Sequence, residues 1–263
     1  MPEWPGGARG ALCLSFDNLG VDEATSAAPA LPALLERLAA HDLRATFFAE
    51  GVNAERDPDA LRSIDAAGHE VAYHAWRHES WGELSAAAQT ENLARGVSAF
   101  EGLGIEMDGL RPPGGQLGEG GTAVLREAGL RYASPAGEGA GVADGIALLP
   151  FHWRHVDATC MLPGLGPVRV QMTGSPDPIE PDAFVAYLMN QVDALEEKGG
   201  FISIVLHLPL LAWLGDDNLG TLLDKLGSAR LWLLRCDEAA AHILADPEKF
   251  EDGATLDSTT WAG

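Results

Sequence analysis

His74 and His78 stand four residues apart in the stretch from Gly68 to Ser80, Gly-His-Glu-Val-Ala-Tyr-His-Ala-Trp-Arg-His-Glu-Ser. On a helical turn that spacing places both imidazoles on one face. Neutral imidazole is the commonest protein ligand for a first-row transition metal. A metal site needs further ligands from elsewhere in the chain. The apolar run Ala11 to Phe16 reads as a strand and stops at Asp17-Asn18. A strand that ends on a carboxylate delivers a catalytic group to a barrel rim. Arg111 follows the short strand expected at Met107 to Leu110 and precedes Pro112-Pro113-Gly114-Gly115. His207 follows the apolar strand Phe201 to Leu206. If Asp17, His74 and His78 converge, they offer one base and two metal ligands, the parts of a metal-assisted hydrolysis.

The elements between these residues must bring them together. Short apolar runs alternate with amphipathic stretches along the chain. Ala28 to Ala40 carries Leu31, Leu34, Leu35 and Leu38 at helical spacing. Arg44 to Ala49 reads as a strand, Asp57 to Ala67 as a helix with Pro58 in its first turn, and His69 to Tyr73 as a strand leading to the histidine pair. Ser85 to Leu103 is a long helix that Ser85 can cap. Thr122 to Ala128, Asp182 to Lys198, Asp216 to Leu226 and Asp237 to Ala245 are further helices. Arg131 to Ser134, Ile146 to Leu149 and Leu231 to Leu234 are further strands. Ala136 to Gly145 reads as a surface loop. The proline-rich region 157–181 shows no clear helix and is expected to cover the site. This alternation implies parallel strands joined by right-handed crossovers. Seven or eight units suit an α/β barrel. An open doubly wound sheet is the competitor, but no G-x-G-x-x-G follows the first strand. One domain is expected over residues 8–246, with a frayed polar tail at 247–263.

The balance of 39 acidic against 17 basic side chains gives a formal charge of −22. That disfavours nucleic acid and anionic membranes as partners, since both require positive patches. Cys13, Cys160 and Cys236 are few, odd in number and widely spaced. They argue against a disulfide framework or a structural zinc knot. The N-terminus has no basic region followed by an apolar stretch, and no run of eighteen apolar residues is present. The expected location is the cytoplasm.

Taken in order, Phe16-Asp17-Asn18, Ala45-Thr46-Phe47-Phe48, Gly68-His69-Glu70-Val71, His74 to His78, Arg111 to Gly115 and Leu206-His207 resemble the motifs of polysaccharide deacetylases. These are the NodB-homology proteins of carbohydrate esterase family 4. The resemblance runs from about Leu12 to His207. It implies a distorted (β/α)7 barrel and metal-dependent hydrolysis of a C–N amide bond, with Zn²⁺ as the first expectation and Co²⁺, Ni²⁺ or Mn²⁺ as others.

Carried over residue by residue, the resemblance makes Asp17 the general base and makes Asn18, His74 and His78 the ligands. Arg111 orients Asp17, and His207 protonates the leaving amine. A backbone N–H near Pro113-Gly114 would hold the oxyanion. Asn18 replaces the usual Asp, which removes one negative charge from the ligand set. Gly114 stands where many members have Tyr, which puts the sugar groove in doubt. Pro113, Gly114, Trp153 and Asp157 are the expected substrate contacts. The segment Pro150 to Asp157 looks more like an allantoinase-like or peptidoglycan-deacetylase-like branch. The expected substrate is an acetamido sugar, an oligosaccharide or another small N-acyl compound. A cyclic imide or ureide is the alternative for the same machinery. A non-catalytic carbohydrate-binding barrel is the reading from a different class.

Overall fold

Every residue of β1 (Gly10–Asp17) is buried, and the rest of the sheet is built around it. The computed structural model describes residues 4–259. Its further strands are β2 (Thr46–Ala49), β3 (Glu70–Tyr73), β4 (Gly109–Leu110), β5 (Tyr132–Ala133), β6 (Gly137–Gly139), β7 (Gly141–Ala143), β8 (Ile146–Leu148), β9 (Gly200–His207), β10 (Trp232–Leu234) and β11 (Ala254–Leu256). β9 runs parallel to β1 over its whole length, from Gly10 beside Gly200 to Asp17 beside His207. The other side of β1 is shared. β10 takes its beginning and β2 its end, and β3, β4, β5 and β8 follow in parallel. The path β9-β1-β2-β3-β4-β5-β8 runs through seven parallel strands, and β10, beside the start of β1, is an eighth. Among the described residues no continuous ladder joins the two ends. One parallel bridge, Val156 to Val205, links the segment after β8 to the free edge of β9. The result is a curled α/β sheet of the distorted (β/α)7 type.

Parallel strands covered on both faces read as continuous apolar runs, and β1 and β9 do so. The helices lie where their periodicity places them. In Leu31–Ala40 the buried residues are Leu31, Leu34 and Leu38. Asp57 caps Pro58–Ala66 through Ala60 N–H. Ser85 caps Ala86–Glu101 by accepting from Ala88 N–H. Cys13, Cys160 and Cys236 are free and buried. Among the described residues no helix is long and apolar enough to cross a membrane.

Three expectations are corrected. The Gly/Ala-rich stretch 136–145 is not a surface loop. It forms β6 and β7, with Ala136 and Ala140 buried, because small residues let these short strands pack closely. The region 157–181 does contain a helix, Gly166–Thr173, whose Pro167 sits in the first turn where its missing N–H costs nothing. The segment after Pro247 does not fray over its described length. Phe250 is buried, and β11 pairs antiparallel with β6. Residues 260–263 of the expected tail lie outside the described residues.

Candidate active site

The C-terminal ends of β1, β3, β4 and β9 open into one cavity of about 430 Å³. Asp17, Asn18, His74, His78, Arg111, Pro113, Gly114, Trp153 and His207 all line it. The strand ends explain the convergence, since parallel strands present their last residues at one end of the sheet.

Arg111 and Asp17 form the buried centre. Arg111 Nη1 donates to Asp17 Oδ1 at 2.6 Å, with both side chains almost wholly buried. A buried ion pair holds only if its remaining hydrogen-bonding capacity is met. Here it is. Nη1 also donates to Ser15 Oγ, Nε and Nη2 donate to Ser134 Oγ, and Nη2 donates to Ser203 Oγ. All five guanidinium N–H groups are therefore used. The guanidinium also lies over the Phe48 ring, 4.0 Å from its centroid. Burial raises the Asp17 carboxyl above its ordinary value, and the attraction of Arg111 opposes that rise without cancelling it.

The histidine pair is not on a helix. His74 continues from β3, and Ala75 and His78 both adopt left-handed backbone, φ 61° and 62°, so a tight turn carries the pair. A helical turn requires negative φ throughout. Gly51 N–H and Val52 N–H clamp this turn by donating to the carbonyls of Ala75 and Trp76. The two rings still meet, with centroids 4.9 Å apart. His74 Nδ1 lies 2.8 Å from the Arg111 carbonyl. A carbonyl only accepts, so Nδ1 carries the proton and Nε2 keeps a free lone pair. Nε2 is 4.0 Å from Asp17 Oδ2. Burial and the neighbouring imidazole hold His74 well below its ordinary value, and burial lowers His78 as well.

Asn18 also has left-handed backbone, φ 65°. Its side-chain Oδ1 is buried and has no hydrogen-bond partner. A buried amide oxygen without a partner costs free energy unless something fills that place. Among the described residues no cluster of three or more His, Cys, Asp or Glu is poised around one ion position. The donor set here is two neutral imidazoles and one amide oxygen, and those groups could hold a divalent cation.

On the other side of Asp17, His207 Nδ1 meets Asp157 Oδ1 at 2.6 Å. His207 N–H donates to Asp157 Oδ2, and Ala158 N–H donates to Asp157 Oδ1. Burial disfavours the imidazolium, but the charge and hydrogen bond of Asp157 outweigh it, so His207 is raised above its ordinary value.

Residues 7–133 match the polysaccharide deacetylase family. That match spans 127 of the 263 residues, just under half of the chain. It is similar over 97% of its length to the crystal structure of a Mycobacterium smegmatis protein described as a polysaccharide deacetylase, covering 96% of that chain, with a TM-score of 0.77 and 25% identity. It shares a fold with PuuE allantoinase over 93% of each chain, with a TM-score of 0.73 and 20% identity. It is 29% identical to chitin deacetylase 1 of Saccharomyces cerevisiae over 127 residues, 44% of this chain and 41% of that protein. The matched stretches span less than half the length of the curated relatives.

Within this deacetylase fold, one expected substrate contact is placed elsewhere. Asp157 is fully buried and does not line the cavity. Both its oxygens are engaged in holding His207 and the turn at Ala158, so it cannot meet a substrate. Gly114 lines the cavity with φ +78°, and a Cβ there would meet nothing within 4 Å. The absent side chain leaves that wall open. Sequence reasoning missed the serine cradle of Arg111. Its signal is the period of two along a strand. Ser15 lies two before Asp17, and Ser203 lies four before His207, so each shares a face with a site residue.

Proposed function

We propose that the chain is a metal-dependent hydrolase of a C–N amide bond, removing the acyl group from an acetamido sugar or another small N-acyl compound. The observation that carries this reading is that two ion pairs, Asp17 with Arg111 and His207 with Asp157, hold Asp17 and His207 at the cavity that Asn18, His74 and His78 also line. The deacetylase names of the relatives give the class of reaction.

Asn18, His74 and His78 would hold the cation. When bound, the ion polarises the amide carbonyl and lowers the pKa of water at the site. The remaining work belongs to the chain. Arg111 fixes Asp17 in one orientation, and Asp17 takes a proton from the attacking water. His207, protonated and held through Nδ1 by Asp157, gives its Nε2 proton to the leaving nitrogen. One water is consumed, the C–N bond breaks, and a carboxylate and an amine leave.

The test is metal analysis joined to acetate release. Protein reconstituted with Zn²⁺ should hold roughly one ion, the complement of a single two-histidine, one-oxygen site. His74→Ala should lose it. Asp17→Asn and His207→Ala should each cut acetate release from N-acetylglucosamine or chito-oligosaccharides by about 10²-fold or more. Equal metal in wild type and His74→Ala, or full turnover in Asp17→Asn, would overturn the assignment. A cyclic ureide offered in the same assay reports ring opening by the same groups.

A further inference from the structure

The cavity has two unlike halves. Asp17, Asn18, His74, His78, Arg111 and His207 make one. The other is hydrocarbon. Val156, Ala158, Leu162 and Leu165, from the segment that bridges to β9, face the site together with Leu210 and Trp153. Apart from the reacting cluster, only Ser80 and the Trp153 indole bring a polar side-chain atom to the lining among the described residues. The Trp153 Nε1 is itself buried and without a partner.

A polyhydroxylated sugar ring pressed against such a wall would leave hydroxyls unpaired, and each buried unpaired hydroxyl costs free energy. Burial against Leu, Val and Trp side chains instead favours hydrocarbon. Leu162 keeps 37% of its surface exposed although it lines the cavity. An apolar side chain of that size left open at the mouth gains contact only when something covers it. We infer that the substrate presents an apolar substituent of several carbon atoms to this wall, and that residues 156–165 with Leu210 set that preference.

The inference rests on the amide-hydrolase reading and narrows its substrate. The substituent belongs either to the acyl group or to the amine, and the shared chemistry is an amide flanked by hydrocarbon.

The experiment compares N-acetylglucosamine, N-butyrylglucosamine and N-acetylbenzylamine on the Zn²⁺-loaded protein. Methylenes in a pocket change kcat/KM by about 10- to 200-fold each. A gain of about 10-fold or more over N-acetylglucosamine is expected in one arm. The butyryl arm assigns the wall to the acyl side, and the benzylamine arm assigns it to the amine side. In Leu162→Gln and Leu210→Gln, both at partly exposed positions, the ratio of the favoured substrate to N-acetylglucosamine should fall toward one. Equal or better turnover of N-acetylglucosamine overturns the inference and leaves the hydrolase standing. If neither these three nor chito-oligosaccharides are cleaved, the hydrolase reading fails, and calorimetric binding decides the wall; cleavage of the oligosaccharides alone overturns the inference. Tighter binding of butyrate than acetate, or of benzylamine than glucosamine, supports it. Equal binding in both pairs overturns it.

Discussion

At the residue scale the site consists of side chains whose hydrogen bonds leave each of them one role. His74 spends Nδ1 on a carbonyl, and Arg111 spends every N–H on Asp17 and three serines. His207 spends Nδ1 on Asp157. The last pairing fixes a pH dependence. A histidine acid works while protonated, and Asp157 raises His207 above its ordinary value of 6.5. Activity should therefore persist above that value and fall as pH rises through the raised one. In Asp157→Asn the attraction that raises His207 is gone while burial remains, so the alkaline limb should move to lower pH. Turnover near neutrality should fall by about 10-fold or more, toward the roughly 10²-fold that losing an acid–base group costs. A pH profile of kcat/KM that keeps its alkaline limb in Asp157→Asn would show that another group donates the proton. Asn18 gives a second expectation. A carboxylate in its place adds negative charge beside the two imidazoles, so Asn18→Asp should bind Zn²⁺ more tightly in chelator competition. Unchanged or weaker binding would remove residue 18 from the ligand set.

At the scale of elements, the parallel strands were legible, and the antiparallel β6, β7 and β11 and the covering segment were not. β1 and β9 announce themselves by unbroken apolar runs that stop at Asp17 and His207. The helices over Leu31–Ala40 and Ala86–Glu101 announce themselves by spacing and caps. The turn at His74 was misread because a spacing of four fits a helix and a tight left-handed turn alike. Asp157 was misplaced because its partner lies fifty residues away, beyond any local pattern. The helix Gly166–Thr173 hid behind its prolines, and tertiary bonds hold it. Arg169 is buried and donates to the carbonyls of Thr159, Leu162 and Pro176, tying the segment that walls the cavity. Hydrogen bonds to charged donors are worth about 1.5–3 kcal/mol each. Arg169→Ala should therefore open residues 157–181 to limited proteolysis and raise KM more than it lowers kcat. A variant that resists protease like the wild type and keeps its KM would show that other contacts fix this wall.

At the scale of the whole molecule, the acidic surface acts before any substrate reaches the rim. The 39 acidic side chains exceed the 17 basic ones by 22, so the far field is negative. Inside the cavity the balance differs, because Arg111 offsets Asp17, Asp157 offsets His207, and a bound divalent cation would add positive charge among three neutral ligand groups. An anionic N-acyl compound is thus repelled on approach and meets little of that repulsion once seated. A neutral amide meets neither effect. The Debye length shrinks from about 30 Å at 0.01 M ionic strength to about 8 Å at 0.15 M, so the two classes should separate as salt is added. For an N-acyl compound bearing a remote carboxylate, kcat/KM should rise several-fold between those concentrations, with the gain in association. For a neutral compound of the same size it should stay flat. The comparison is made at a fixed Zn²⁺ loading, checked by metal analysis, so that salt does not act through the ion. An anionic substrate whose kcat/KM falls as salt rises would mean that the field at the mouth is positive and that the net charge of the chain does not govern approach.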